Sequence, residues 1–374
     1  MKFLSSCLVL FLCLPLMLCC QQSNKFAGLD EYLAYSNKID PQVIDEFLGK
    51  EADAAFPIGM KAYFLAEKQN QKQAKALLQK ELSKRPELKK SSYIKLASAK
   101  IAQSDKDLSK YKSDLHQAIE LGEPNKWAFL ELYYHFKDSD SLKAISYLNE
   151  ALIIDSSFSH ALLEKAYQYD FNSECEKVIS ILGPVIEAKS EVVTQLTYLA
   201  DAHFFCGNNE KAEALYIKAN TIEKNKYSYQ GLANIEHYIH KNYPAAKKNY
   251  EKAVSLEPEN PNLKVDLAWL YFDMGEIEQA NKQFGEALKQ RTDDATIYND
   301  AILFYIKTNS LNRAENLLVS AKGKFGLSHY LDGFTIVLNI LRNGTVDDKK
   351  IKEFEEKYDA DAEQWLLDLM AELR

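Results

Sequence analysis

His237 and His240 are the only close pair among seven histidines, and two imidazoles one helical turn apart can begin a metal site. His203 stands one 34-residue step before His237. No obvious carboxylate or thiolate completes the set, so packed side chains are the preferred reading and neither a metal nor a cofactor is expected. Cys175 and Cys206 are the only cysteines beyond residue 20. The chain has no phosphate loop, dinucleotide loop, His-Glu-x-x-His, Cys-x-x-Cys or Gly-x-Ser-x-Gly pattern. Catalysis is therefore not expected. A net charge of -8 without a Lys/Arg cluster argues against nucleic acid, which needs concentrated positive charge.

The elements that would carry any site are periodic. Ala144, Val178, Ala212, Ala246, Ala280 and Ala314 recur at a spacing of 34. Leu148, Leu182, Tyr216, Tyr250, Phe284 and Leu318 keep the same step, as do Ala151, Val185, Ala219, Ala253, Ala287 and Ala321. Within each repeat the three positions fall at i, i+4 and i+7, one face of an α-helix. A partner helix must cover that stripe, with small residues where backbones approach and large ones between. At 47% hydrophobic and 27% charged residues, the composition is that of a packed chain. The period predicts one helical solenoid rather than several globular domains.

The N-terminus has Lys2, an apolar run from Phe3 to Leu18 broken by Pro15, then Cys19, Cys20, Gln21 and Gln22. The run is shorter than the ~20 residues that span a bilayer, so it reads as an export signal, with a membrane helix as the alternative. Residues 21–54 hold short helical patterns, Leu29, Tyr32 and Leu33, then Val43, Ile44, Phe47 and Leu48, expected to tether and cap. Eight helix pairs should begin near residues 55, 91, 125, 159, 193, 227, 261 and 295. The pair at 91 offers Lys110 or Tyr111 where alanine is expected, and those at 125 and 227 carry one extra residue. Residues 329–374 leave the period but keep amphipathic spacing, with Tyr330, Phe334, Val337, Leu338 and Leu341, then Trp365, Leu366, Leu369, Met370 and Leu373. Asp361, Glu363, Asp368 and Glu372 would form the polar outside of an end cap. Asn343-Gly344-Thr345 matches a glycosylation acceptor but reads as a turn.

The repeat at 261–294 resembles the tetratricopeptide repeat directly, through Leu267, Ala268, Tyr271, Gly275, Ala280, Phe284 and Ala287. The repeat at 193–226 resembles it through Leu199, Ala200, Gly207, Ala212, Tyr216 and Ala219, with His203 in a usual Tyr position. The repeat at 295–328 does so through Tyr298, Tyr305, Ala314, Leu318 and Ala321, with Asn309 in the glycine turn. The resemblance implies an all-α, right-handed superhelical solenoid of about eight helix-turn-helix units over 55–328, with capping helices in 20–54 and 329–374. It also implies that first helices line a concave peptide groove. Tyr167, Phe171, Phe204, Phe205, Trp269, Phe272, Leu303 and Ile306 are the groove candidates, read against the alternative of packing between neighbouring first helices. Equivalent turns of adjacent repeats would lie side by side, so Cys175 and Cys206 can be either a disulfide or two buried thiols.

Leu16-Met17-Leu18-Cys19-Cys20 resembles a bacterial lipoprotein signal. That implies a signal peptide over 1–19, acylation of Cys20, with Cys19 as the alternative anchor, and, from Gln21, an outer membrane location facing the periplasm. The expected function is a non-catalytic scaffold binding protein or peptide partners in an envelope assembly, secretion or pilus-type complex. Two alternatives stand beside it: an enzyme or enzyme subunit of envelope polysaccharide metabolism, and a surface lipoprotein capturing an external ligand. Facing acidic residues in the groove would favour the enzyme; a continuous apolar strip would favour the scaffold.

Overall fold

The computed structural model describes residues 29–48, 54–187, 190–290 and 293–373. The export signal over 1–19 and the acylation position Cys20 lie outside the described residues. Among those described there are 21 α-helices and no strand, and no helix is long and apolar enough to cross a membrane. They form two compact units, one ending at Glu223 and the other beginning at Lys224.

In the N-terminal unit, α1 (Leu29–Tyr35) and α2 (Pro41–Leu48) precede five helix pairs. The pairs are α3 (Ala55–Glu67) with α4 (Gln71–Lys84), α5 (Ser92–Ser104) with α6 (Leu108–Glu120), and α7 (Lys126–Phe136) with α8 (Ser141–Ile154). The last two are α9 (Ser159–Ala166) with α10 (Phe171–Ile186), and α11 (Val193–Phe205) with α12 (Asn209–Ile222). The C-terminal unit contains α13 (Lys226–Asn234) with α14 (Tyr243–Leu256), α15 (Pro261–Asp273) with α16 (Ile277–Lys289), and α17 (Ala295–Lys307) with α18 (Leu311–Phe325). It ends in α19 (His329–Asn343), α20 (Asp348–Lys357) and α21 (Ala360–Glu372).

The periodic rows are the contacts inside these pairs. Every alanine among them is buried, as are Tyr216, Tyr250 and Phe284. Val185 is the exception: in α10, which contains Pro184, the neighbouring Ile186 is fully buried instead. In α6 the inward residue is Tyr111, while Lys110 faces solvent. Backbones also approach closely between first helices, since a Cβ on Gly59 of α3 would lie 2.6 Å from the Tyr93 carbonyl oxygen of α5.

Most turns between paired helices reverse through one left-handed residue. Gly207 and Gly275 (φ 76° and 75°) supply it where glycine is expected, and Asn309 (φ 53°) where asparagine replaces it. Gln69, Lys106 and Lys241 adopt the same conformation against the usual preference of residues with a Cβ. The extra residue in the pair at 227 is absorbed by a π turn, Ile235–Ile239, after which Asn242 N donates to Glu236 O rather than to the residue five back. Gly344 (φ 67°) ends α19, so the Asn343-Gly344-Thr345 segment is a helix terminus.

Two features differ from the sequence expectation. The first helix α9 has only eight residues, although no Gly or Pro marks its end. The N-terminal segment also does more than cap. While α2 packs on α3, as an end cap would, α1 packs on α9, far along the unit. Amphipathic spacing shows that a face is buried and is silent on what buries it.

At the other end, α19 covers the pair α17 and α18, and α21 packs on α19. Asp332 of α19 accepts hydrogen bonds from Lys322 (3.0 Å), Lys357 (2.7 Å) and Tyr358 (2.9 Å), tying α18 and α20 to it. Asp361, Asp368 and Glu372 are exposed on α21.

Candidate functional site

The short α9 creates the first candidate surface. Because the helix stops at Ala166, Tyr167 becomes its cap and Phe171 opens α10, so neither stands within a first helix. Phe204 and Phe205 close α11, where Cys206 caps the helix and Gly207 makes the turn. Cys206 is bonded to Cys175 in the first turns of α10, with Cα atoms 5.7 Å apart. The disulfide pins the start of one second helix to the end of the next first helix. The aromatic rings are packed beside it.

Tyr198, one face of α11 with Phe205 at i and i+7, joins these rings. It meets Tyr167 edge-on at 4.4 Å and Phe171 at 4.6 Å. Phe171 stacks on Phe205 at 5.4 Å with the planes 2° apart, and Phe205 meets Phe204 at 5.8 Å. Such contacts hold the rings rigid while leaving Tyr167 47% and Phe205 49% exposed. The sequence reading missed Tyr198, whose only signal is that i, i+7 relation. Just beneath, Asp201 accepts a hydrogen bond from Tyr216, and burial raises its carboxyl to about 6.

The second candidate surface is on the first helices of the C-terminal unit. Trp269 is half-buried and donates from Nε1 to Asp300 Oδ1 at 3.0 Å. Its ring meets Phe272 at 5.6 Å and Phe284 at 5.4 Å, and Phe272 meets Phe304 at 6.0 Å. The Lys307 ammonium stands 5.9 Å above the Trp269 ring. Leu303 is half-buried against the C-terminal cluster, and Ile306 is 3% exposed. Ile306 is therefore a core residue and no groove position: α19 packs where a further first helix would, covering that side of α17.

This surface is acidic as well as aromatic. Asp266 accepts from Gln230 Nε2 at 2.6 Å, and burial, with Asp300 nearby, raises its carboxyl to about 6. Burial likewise raises Asp300. Between about pH 4 and 6 the folded chain keeps a proton on Asp266 that the unfolded chain releases. The contribution of this group to stability is thus largest at low pH and is lost as pH rises through 6. Asp266→Asn is expected to raise the C-terminal unit's melting midpoint at pH 7.5 by about 2 to 6 °C and leave it nearly unchanged at pH 4. Circular dichroism melts at both pH values check this, and equal shifts at both would contradict it.

The histidines do not assemble. His237 is fully buried on the π turn, with Nε2 2.8 Å from Asp273 Oδ2 and Nδ1 3.4 Å from the Tyr250 hydroxyl. Burial lowers its pKa. His240 is half-exposed and pairs with Glu236 at 3.5 Å. His203 is buried with Nε2 3.3 Å from Glu187. Among the described residues no group of three or more His, Cys, Asp or Glu side chains could hold a metal ion.

Residues 238–299 match the family model of the tetratricopeptide repeat. No curated protein matches the chain in sequence. A tetratricopeptide repeat protein from Parabacteroides merdae ATCC 43184 is similar in structure over 66% of this chain and 98% of its own, with a TM-score of 0.52 and 18% identity. Pseudomonas aeruginosa pilF covers 56% of this chain and 96% of its own (TM-score 0.44, 18% identity). PilW, a widely conserved type IV pilus biogenesis factor, covers 55% and 96% (TM-score 0.47, 15% identity). The helix pairs are thus tetratricopeptide-type, a fold that binds protein and peptide partners.

Proposed function

We propose that this chain is a non-catalytic scaffold that binds a protein partner within a bacterial envelope assembly, secretion or pilus-type complex, held to the outer membrane through an acylated Cys20. The observation that carries the interaction reading is the aromatic surface beside the disulfide. Tyr167 and Phe205 are half-exposed, yet are fixed by Phe171 and Tyr198. Rigid aromatic area offers a partner large contact at small entropic cost. The envelope location draws support from the lipoprotein-like segment ending at Cys20 and from the bonded cysteines, since disulfides persist in oxidising compartments.

Capture from crosslinked membranes tests both parts. Phe205→Ala and Trp269→Ala should each lower the recovery of a specific partner about tenfold, the effect of losing roughly 1.4 kcal/mol at a binding hot spot. Recovery unchanged in both would remove the first-helix surfaces from the account. Cys20→Ser should release the chain from membranes, and tight retention without acylation would favour an uncleaved apolar helix.

The enzyme alternative has one observation behind it, two partly buried carboxylates, Asp266 and Asp300, on the same surface. Each accepts a hydrogen bond from a neutral donor, Gln230 or Trp269, which is an arrangement that orders the surface without a nucleophile. Turnover of envelope glycan that disappears in Asp266→Asn would restore that alternative. Capture of an external ligand is separated by protease treatment of intact cells, which would remove a surface-exposed chain and spare a periplasmic one.

A further inference from the structure

The starts of successive first helices in the N-terminal unit already hold a short helix, and that helix belongs to the chain itself. Leu29, Tyr32 and Leu33 of α1 are fully buried, in one cluster with Trp127, Phe158 and Ala161 at the starts of α7 and α9. Polar ties follow the successive first helices in order. Asp30 pairs with Lys126 at the start of α7 (2.6 Å), and the Ala34 carbonyl accepts from Ser159 Oγ at the start of α9 (2.9 Å). The Tyr35 carbonyl accepts from Glu191 N (2.8 Å), and Asn37 Oδ1 accepts from Val193 N at the start of α11 (2.9 Å). Asn37 Nδ2 also donates to Glu223 (2.7 Å). The segment then doubles back, Lys68 donating to the Ile39 carbonyl and Asp45 pairing with Lys61, so that α2 lies on α3 with Phe47 against Tyr32.

A seven-residue helix has no stability of its own in water, so α1 is helical because it is docked. Its footprint is that of a bound peptide: apolar anchors at i, i+3 and i+4, one carboxylate on a lysine, and backbone carbonyls capped by the host. Among the described residues the buried Trp127 Nε1 finds no hydrogen-bond partner, so α1 leaves a donor of its docking site unused.

We propose that residues 29–48 are a tethered ligand for the N-terminal unit, and that the starts of α7, α9 and α11 form a docking site for an amphipathic partner helix of the same chemistry, an acidic residue followed by an aromatic–aliphatic pair. Held in place by its own chain, the strap competes with that partner at high effective concentration. This goes beyond the scaffold reading by naming the partner's chemistry and a control on its access. It rests on that reading for the biological role, but its test uses only this chain.

The probe is a labelled synthetic peptide of residues 29–48, titrated by fluorescence anisotropy into the full chain. A full-chain variant without the side-chain ties of Asp30 and Asn37, Asp30→Ala with Asn37→Ala, should bind the peptide at least tenfold more tightly than the unaltered chain. Adding Lys126→Glu should abolish that gain, and a peptide carrying Asp30→Lys should restore it. Leu33→Ala serves as a second release variant, with circular dichroism recorded for all. Equal binding by released and unaltered chains would overturn the proposal, as would no binding by a folded released variant. Loss of the N-terminal unit's helicity in both release variants would also overturn it, because the segment would then be core and not ligand. Failure here leaves the capture experiment on Phe205 and Trp269 unaffected.

Discussion

Ala280→Trp is expected to destabilise the C-terminal unit by about 3 kcal/mol or more, at the upper end of overpacking costs. Ala280 is fully buried in α16, in the cluster that holds Leu267, Ala268 and Tyr271 of α15 together with Phe284 and Phe304. An indole there has no space unless the two helices part, and parting them strips Phe284 and Ala287 of their contacts too. The melting midpoint should fall by about 6 to 12 °C. Hydrogen exchange should localise the loss to α15 and α16. Gln279→Trp is the control, because the neighbouring residue is exposed and an indole there meets solvent. Equal, small effects of the two substitutions would mean that the alanine rows do not mark the helix contacts.

The second large effect concerns Cys175 and Cys206. They close a loop with a sequence separation of 31, and a cross-link of that size stabilises by roughly 3 to 4 kcal/mol in the chain-entropy treatment. Cys175→Ser with Cys206→Ser should lower the denaturation midpoint of the N-terminal unit accordingly. A reductant should reproduce that loss in the unaltered chain and do nothing further to the double variant. Since the bond adjoins Phe171 and Phe205, the same change should raise the mobility of the aromatic surface and weaken partner capture. A double variant as stable as the parent would show that the bond constrains little.

Much of the fold was legible because close helix packing permits few side chains. Small residues at the points of approach and large ones between them are forced by backbone distance, so Ala212, Tyr216 and Ala219 announce their face without any structure. Gly207, Gly275 and Asn309 likewise announce their turns. Gln69, Lys106 and Lys241 do not, because a left-handed residue with an ordinary side chain carries no mark in the sequence. The early end of α9 was illegible for a related reason: Tyr167-Gln168-Tyr169-Asp170 contains no helix breaker. That one local choice moved Tyr167 and Phe171 off the first helix and brought them to Tyr198. Ile306 was misassigned because periodicity identifies an inward face without saying which element covers the last one. The docking of residues 29–48 is silent in the sequence for the same reason. Its apolar spacing was plain, but its partner lies 125 residues away, between Ala34 and Ser159.

Photocrosslinking from single positions in the intact chain tests the central claim most directly. A benzophenone amino acid at Tyr167 or Phe205, on the aromatic surface, should give a discrete adduct with a protein partner in membranes. The same probe at Leu142 or Ile153, exposed on the second helix α8, should not. Adducts from α8 alone, with none from Tyr167 or Phe205, would place the partner on the second helices and contradict the account.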